Sequence, residues 1–171
     1  MGKQTMGKLF HWESPAAYSV LDGECRRHKV DIVFALFSGG HDSLVASHLT
    51  SQHPLFGGVL HIDTGIGIPE TQSFVRDVCS EFGWHLEVYS AKNHTSADGT
   101  PNPQNYEDMV RRRGFPGPSS HKFFYRALKD YQISRFLRDR PQFKRIGLVT
   151  GIRNHESSRR MFNAKSDSDR K

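Results

Sequence analysis

The sequence predicts an α/β fold with a doubly wound, mostly parallel sheet that carries helices on both faces. Short apolar runs alternate along the chain with segments whose apolar residues recur at helical spacing, which is the pattern of βαβ units. Such units pack as a parallel sheet with right-handed crossovers. The length of 171 residues and the apolar content of 36% suit one domain with a sizeable core.

Three predicted strands and three predicted helices occupy the first half of the chain. A helix follows Ser14, the candidate N-cap, with Pro15 in its first turn, and extends to Lys29. Residues 30–37 form an apolar run typical of a strand covered on both faces, and the run stops at a pair of glycines. The other elements predicted here are a helix over 42–51, a strand over 58–63, a helix over 70–82 and a strand over 85–89.

The second half of the chain opens with a long loop. Residues 91–104 are rich in Asn, Ser, Gly and Pro, which favour a loop, and a loop of this length usually carries function. A short helix is predicted over 106–113. Ser119 and Ser120 are expected to cap a longer helix that continues to Asp139.

A fourth predicted strand, over residues 145–150, ends at Gly151. These elements divide the chain into a leading helical segment over 1–29, a main domain over 30–162 and a polar, frayed tail over 163–171.

Charge is distributed unevenly along the chain, although the formal net charge is only +6. Residues 1–110 carry 7 basic and 13 acidic side chains, whereas residues 111–171 carry 17 basic and 5 acidic ones. This asymmetry indicates an anionic partner for the last third, namely a nucleotide, a nucleic acid or an acidic protein. A solvated basic helix face is the alternative interpretation.

Cysteine content and hydropathy limit where the protein works. Cys25 and Cys79 are the only cysteines and form no C-x-x-C pair, which argues against a disulfide-stapled secreted fold. No apolar segment approaches the roughly 18 residues of a membrane span, and the first ten residues hold no apolar signal region. We therefore expect a cytoplasmic protein without a membrane partner.

The chemistry is concentrated between the first predicted strand and the next helix. Two adjacent glycines allow a tight turn that brings backbone N–H groups to an anion, and the helix adds its positive dipole end. The flanking hydroxyls donate to phosphate oxygens, and the acidic residue caps the helix or positions a metal-bound phosphate. An ordinary Gly-Gly turn is the alternative, and no Walker A pattern occurs. The six residues are Ser38, Gly39, Gly40, His41, Asp42 and Ser43.

This loop resembles the PP-loop of the adenine nucleotide α-hydrolase-like superfamily, and two further segments are similar to the phosphoadenylylsulfate (PAPS) reductase family. Residues 60–65 read Leu-His-Ile-Asp-Thr-Gly and are followed by Pro-Glu-Thr at 69–71. Residues 151–160 read Gly-Ile-Arg-Asn-His-Glu-Ser-Ser-Arg-Arg. The resemblance spans about residues 30–160. It implies a Rossmann-like nucleotide-binding domain whose ligand is an adenine nucleotide, either ATP or PAPS.

The same resemblance implies a role for each matching residue. The loop would bind the pyrophosphate or terminal phosphates, and the turn after the second strand would line the adenosine. Arg153 and Arg160 would reach phosphate or sulfate oxygens. The implied catalytic residues are Asp42, Lys129 and Arg153, and the implied binding residues outside the loop are Asp63, Thr64, Gly65, Gly151, Arg153 and Arg160.

Two departures from the family pattern concern sulfur chemistry. Aligned on Lys129, the cysteines of iron–sulfur-containing reductases fall at Phe124 and Tyr125, so no iron–sulfur cluster is expected. No Glu-Cys-Gly segment follows Arg160, and Cys79 is predicted to be a packed thiol. Thiol-based reduction therefore lacks its nucleophile in this chain.

The resemblance then implies a PP-loop ATP pyrophosphatase that works with Mg²⁺. Such proteins attach AMP to an acceptor oxygen and release pyrophosphate, in sulfur transfer or nucleic-acid modification. The ten histidines show no zinc spacing, so no protein-bound metal is expected. Two alternatives remain: a sulfonucleotide reductase whose cysteine is supplied from elsewhere, and a non-catalytic nucleotide-binding module. A nucleic-acid or protein partner for the basic third and a homo-oligomer also stay open.

Overall fold

Residues 14–118 and 120–151 are described by the computed structural model of the chain. The predicted tail over 163–171, the last part of the predicted main domain and the candidate cap Ser119 lie outside these residues.

The core is a four-stranded sheet in the order β3-β2-β1-β4. All pairings are parallel: β1 pairs with both β2 and β4, and β2 pairs with β3. The chain builds outward from β1 through β2 to β3 and then returns to the other side of β1 for β4, so the switch point lies between β1 and β4. The strands are β1 (Ile32–Leu36), β2 (Phe56–Asp63), β3 (Leu86–Ser90) and β4 (Ile146–Val149).

Helices connect these strands, and within the described residues their bounds agree with the predicted ones to within two residues up to residue 113. None of the described helices is long and apolar enough to cross a membrane. The helical elements are α1 (Pro15–His28), α2 (His41–Ser51), α3 (Pro69–Glu81), a 3₁₀ turn (Ala91–Asn93), α4 (Tyr106–Arg113), α5 (His121–Tyr125), a π-turn (Arg126–Asp130) and α6 (Tyr131–Arg138).

Helices cover both faces of the sheet, as predicted. On one face Phe37 and Val59 pack against the buried residues Val75 and Cys79 of α3, with α2 beside them. On the other face Phe34, Leu60 and Tyr89 pack around Phe136 of α6. Phe34 of β1 and Phe37 just after it therefore contribute to opposite cores, which explains the continuous apolar run over 30–37.

The helix predicted to begin at Ser120 differs from the expectation in two ways. Ser120 is itself in helical conformation, and its hydroxyl accepts the N–H of Gly117 at 3.0 Å instead of capping α5. The π-turn between α5 and α6 interrupts the regular helix. There the fully buried amide of Gln132 donates to the carbonyl of Ala127 at 3.3 Å. A side chain thus bonds the backbone where the regular ladder is broken.

Candidate functional site at the carboxyl edge of the sheet

The glycine loop, residues 38–43, lies between β1 and the first turn of α2. Gly40 is the N-cap of α2, in extended conformation, and no side chain caps the helix there. The interpretation of Asp42 as the cap is therefore wrong, since Asp42 lies in the first helical turn. The first turn of a helix presents N–H groups without intrahelical partners, which favour an anion.

Ser38 and Ser43 bond to each other across the glycine loop, and we call this pair the serine clasp. The hydroxyl of Ser43 accepts the N–H of Ser38 at 3.2 Å, lies 3.1 Å from the Ser38 hydroxyl and donates to the Gly40 carbonyl at 2.8 Å. Ser43 is buried and its single proton is used inside the loop, whereas Ser38 is exposed. The pair therefore fixes the loop conformation, and Ser38 keeps access to a ligand.

Gly39 joins the loop to α3. Its φ of +86° is in the left-handed region, and a Cβ atom there would lie 2.8 Å from Cγ2 of Thr71. Only glycine meets both conditions without strain. The Pro-Glu-Thr segment of the sequence thus contacts the glycine loop directly.

Gly151 brings β4 to the same loop. A Cβ atom at Gly151 would lie 2.6 Å from the carbonyl carbon of Asp42 and 3.0 Å from the amide nitrogen of Ser43. The backbone that follows β4 therefore packs on the first turn of α2. The two predicted site segments meet at the switch point, where open α/β sheets bind their ligands.

The turn after β2 is held by a carboxylate. One oxygen of Asp63 accepts the Gly65 N–H at 2.9 Å, and the other accepts the Ser90 hydroxyl at 3.1 Å. Thr64, which lies between Asp63 and Gly65 in the chain, is half-buried. Asp63 therefore shapes the turn and ties it to the end of β3.

His61 fixes the end of β1 from β2. Its ring Nδ1 lies 2.8 Å from the carbonyl oxygen of Phe37, and the side chain is buried. His61 is therefore a buried core residue that bonds to backbone.

Among the contacts of the described residues, none brings Lys129, a predicted catalytic residue, to the glycine loop. Lys129 is exposed on the π-turn, with its ammonium 5.6 Å from the centre of the Tyr125 ring. Leu128 beside it packs against Ala91, which follows β3 rather than β1. Arg153 and Arg160 lie outside the described residues.

Several arginines of the basic third make contacts within the chain. The Arg135 guanidinium donates to the Asn93 carbonyl, and Arg138 donates to the Thr95 carbonyl and hydroxyl at 3.4 and 3.3 Å. The Arg145 guanidinium donates to the His28 carbonyl, at the end of α1. Part of the positive charge attributed to an anionic partner therefore holds loops and strand ends.

Neither thiol has the environment of a nucleophile. Cys79 is packed in the core under α3, and burial raises the pKa of its thiol to about 11. Burial, together with Asp22 and Glu24, also raises the pKa of Cys25. A reactive cysteine needs a lowered pKa and access, so the prediction of a packed thiol at Cys79 is confirmed, and Cys25 is buried as well.

Sequence reasoning did not name Thr71, Ser90 and Lys92 as site residues. Thr71 contacts Gly39, Ser90 bonds Asp63, and the Lys92 side chain lies against Gly65. Ser90 and Lys92 follow from one available signal, because parallel strands end at the same edge and these residues end or follow β3. The contact of Thr71 depends on how α3 packs, which no local pattern reveals.

This architecture, with a glycine loop at the switch point of a parallel sheet, is that of the adenine nucleotide α-hydrolase-like superfamily. The family model of the phosphoadenosine phosphosulfate reductase domain matches residues 32–170. The chain belongs to that family.

Two relatives agree with the family assignment. Sulfate adenylyltransferase subunit 2 of Streptomyces lavendulae is 33% identical over 106 residues, which are 56% of this chain and 32% of that protein. The chain thus spans about a third of the length of this relative. The crystal structure of PAPS reductase from Candida auris, a phosphate complex, shares the fold with a TM-score of 0.51 and 14% identity, over 98% of this chain and 88% of that one. The family connects the chain to nucleotide-linked sulfur metabolism.

Proposed function

We propose that the glycine loop binds the phosphates of ATP, taken up with Mg²⁺, and that the protein transfers AMP to an acceptor oxygen. The acceptor oxygen forms a bond to the α-phosphorus, the bond from that phosphorus to the bridging oxygen breaks, and its electron pair leaves with pyrophosphate. No covalent enzyme intermediate is needed. Catalysis then rests on orienting the phosphates and stabilising the charge that grows on the leaving group.

The observation that carries this proposal is the close packing of backbone at Gly39 and Gly151 beside the first turn of α2. Gly39 and Gly151 let backbone approach from two sides, where any side chain would collide with Thr71 or with the Asp42 backbone. The serine clasp holds the loop in this shape before a ligand arrives. When negative charge develops in the transition state, each preorganised backbone donor of this kind contributes about 3 kcal/mol.

The chemistry of the two thiols favours adenylyl transfer over sulfonucleotide reduction. Cys79 is buried with a raised pKa, and Cys25 is buried as well. The name of the Streptomyces lavendulae relative describes adenylyl transfer to sulfate. A sulfur oxyanion is therefore the first acceptor to test.

The acidic residues fit magnesium that arrives with the nucleotide. Among the described residues no group of three or more His, Cys, Asp or Glu side chains could hold a metal ion. Mg²⁺ is typically held by one or two carboxylates and by substrate phosphates. Asp42, in the first turn of α2, is the carboxylate of the glycine loop that would contact it. The ion would supply charge neutralisation on the phosphates.

ATP labelled at the α-phosphate, incubated with the purified protein, Mg²⁺ and sulfate, tests this function. We expect labelled adenylyl product and free pyrophosphate. Binding without turnover on any candidate acceptor would instead support the non-catalytic module, and release of sulfite from PAPS with thioredoxin would support the reductase alternative. Failure of the protein to bind any adenine nucleotide would overturn all three.

Two serines on α2 give a matched pair of variants. Ser43→Ala removes the clasp and leaves the Ser38 N–H without its acceptor, so we expect nucleotide affinity to fall about tenfold. Ser47→Ala removes a fully buried hydroxyl one turn later, whose bond is to the Ser43 carbonyl within the helix. The Ser47 variant should bind as the wild type does. Equal affinities for all three proteins would contradict the role of the loop.

A further inference from the structure

Positive charge is concentrated on α4, on α5 and on the π-turn that follows α5. From Met109 to Leu128 the sequence contains five arginine or lysine residues and no aspartate or glutamate. All five are exposed. We call them the basic face: Arg111, Arg112, Arg113, Lys122 and Arg126.

The packing of α4 on α5 places the cations of the two helices near one another. The Arg113 guanidinium lies 4.1 Å from the centre of the Phe123 ring, so the last turn of α4 lies beside α5. Beneath this contact, Met109 of α4 and Phe124 of α5 belong to one buried cluster. The basic face is therefore assembled by tertiary packing, and its charge is greater than that of either helix alone.

The local fold accounts for only part of this charge. The arginines in the last turn of α4 suit the negative end of the helix dipole, and Arg111 also pairs with Asp108 at 3.5 Å. Lys122, in contrast, lies in the first turn of α5, where the helix dipole disfavours a cation. Within the described part of the chain no carboxylate forms an ion pair with Arg112, Lys122 or Arg126. Their charge is available to an external anion.

An aromatic ring is exposed beside these cations. Phe115 is 78% exposed, and none of the three buried clusters of the described residues includes it. The loop that carries the ring is held at both ends. The Gly114 N–H donates to the Val110 carbonyl at 2.8 Å, and the Gly117 N–H donates to the Ser120 hydroxyl at 3.0 Å. The fold thus holds an apolar ring in solvent next to arginines.

We propose that the basic face and Phe115 bind a single-stranded nucleic acid. The cations contact successive phosphates of the strand, and one base stacks on the Phe115 ring. Four of the five cations are arginines, whose planar guanidinium groups match phosphate oxygens in pairs. A duplex hides the faces of its bases, and an acidic peptide offers none, so the exposed ring favours a single strand over both. The proposal does not depend on the proposed function, because the basic face shares no residue with the glycine loop.

Fluorescence anisotropy with labelled oligonucleotides of about 12 nucleotides tests the proposal on the full chain. Single-stranded DNA and RNA of one mixed sequence would be compared with the duplex of that sequence and with poly-glutamate of equal charge. We expect a single strand to bind more tightly than the duplex or poly-glutamate at the same salt concentration. The logarithm of its affinity should fall with the logarithm of salt concentration with a slope of about −3, as expected for about four phosphate contacts.

Substitutions of Phe115 test the stacked base. Phe115→Ala should weaken single-strand binding about tenfold. Phe115→Leu keeps an apolar side chain without a ring and should lose as much, whereas Phe115→Trp should retain binding. Equal affinities for the leucine and tryptophan variants would exclude stacking.

Substitutions of the cations test the phosphate contacts. Arg112→Gln and Lys122→Gln should each reduce the magnitude of the salt slope by about 0.7. Arg76→Gln is the matched control, because Arg76 is an exposed arginine on α3, outside the basic face, and its loss should leave the slope unchanged. Equal effects of the Arg76 and Arg112 substitutions would show attraction to net charge alone and would overturn the site. Poly-glutamate that binds as tightly as the single strand would assign the face to an acidic protein instead, and no binding of either single strand would overturn the proposal outright.

Discussion

Gly39 and Thr71 are in direct contact, although 32 positions separate them and they belong to different elements of the fold. The glycine loop after β1 thereby packs on the first turn of α3, which follows β2. Because Gly39 also has a positive φ, the contact constrains the loop both in conformation and in space. The close approach links two segments of the sequence into one structural unit.

Replacing Gly39 by alanine should distort the loop. The new Cβ would lie 2.8 Å from Thr71 Cγ2, at a φ that side chains avoid. We expect Gly39→Ala to weaken nucleotide binding at least tenfold and to lower the free energy of unfolding by about 1–3 kcal/mol. Calorimetric binding and urea unfolding would measure the two effects.

Two further variants separate the collision from the backbone strain. Thr71→Ser removes Cγ2, so Gly39→Ala combined with Thr71→Ser should recover part of the loss, and the φ strain should remain. Gly67→Ala is the control, because a Cβ at Gly67 meets nothing within 4 Å and its φ is ordinary. Equal effects of the Gly39 and Gly67 substitutions would contradict the packing argument.

The sequence predicts the sheet and its helices well because both depend on local signals. Apolar runs and helical spacing identify β1 to β4 and α1 to α4, and glycines mark where strands end. The same signals cannot show a π-turn, since Arg126–Asp130 continues the helical spacing and differs only in how its backbone bonds are made. Ser120 likewise has the composition of a cap, but its conformation is helical.

The segments that form the candidate site can be predicted from the sequence, but most contacts between those segments cannot. The glycine loop and Gly151 were identified from sequence, and the structure brings them together. The contacts of Thr71 and Lys92 depend on how α3 and the turn after β3 pack, so they require the tertiary structure. Lys129 as a catalytic cation stays a prediction, because no described contact places it at the loop.

The two cysteines should be inert in the folded protein. Burial raises the pKa of Cys79 to about 11, so almost none of it is thiolate at about pH 8. We expect slow labelling by Ellman's reagent in the native state and rapid labelling of both thiols in denaturant. The Cys25→Ala, Cys79→Ala double variant should still bind ATP. Fast native labelling of Cys79 would revive thiol-based chemistry.

His94 should make stability depend on pH in the acid range. Burial is the main cause that lowers its pKa from the ordinary 6.5; Gln132 opposes the shift, and Arg135 and Arg138 add to it. The unfolded chain therefore takes up the proton at a higher pH than the folded one. Stability should fall as pH drops below about 6.5 and be unaffected by this group above it.

A phenylalanine at position 94 provides the test. His94→Phe keeps an aromatic ring against Tyr131, whose centre lies 5.5 Å away, but cannot take up a proton. The midpoint of urea unfolding should then change less between about pH 5 and about pH 7.5 than in the wild type. His121→Gln, at an exposed position on α5, should leave the wild-type pH dependence in place. An equally steep fall in the Phe variant would exclude His94 as the cause.

Arg140 should contribute more to stability than an arginine in an exposed ion pair. Its guanidinium pairs with Glu87, donates to the Tyr89 hydroxyl at 3.1 Å and to the Phe136 carbonyl at 2.8 Å, and stacks 3.8 Å from the centre of the Phe136 ring. The Arg140 side chain is only 10% exposed. Arg140→Met leaves the half-buried carboxylate of Glu87 with only the exposed His85 imidazole, 3.4 Å away, as an ion-pair partner, so we expect a loss of about 2–4 kcal/mol in the free energy of unfolding.

Arg111 offers the matched control, because it pairs with Asp108 at 3.5 Å while its side chain is 75% exposed. Arg111→Met should cost at most about 0.5 kcal/mol, since solvent screens exposed pairs. Adding Glu87→Leu to Arg140→Met should recover part of the loss by removing the carboxylate that has lost its guanidinium partner, and a double-mutant cycle would measure the coupling between the two residues. If Arg140→Met and Arg111→Met destabilise the protein equally in urea, burial does not strengthen the Arg140 contacts. The packing of α6 on β3 must then depend on the apolar contacts of Phe136 alone.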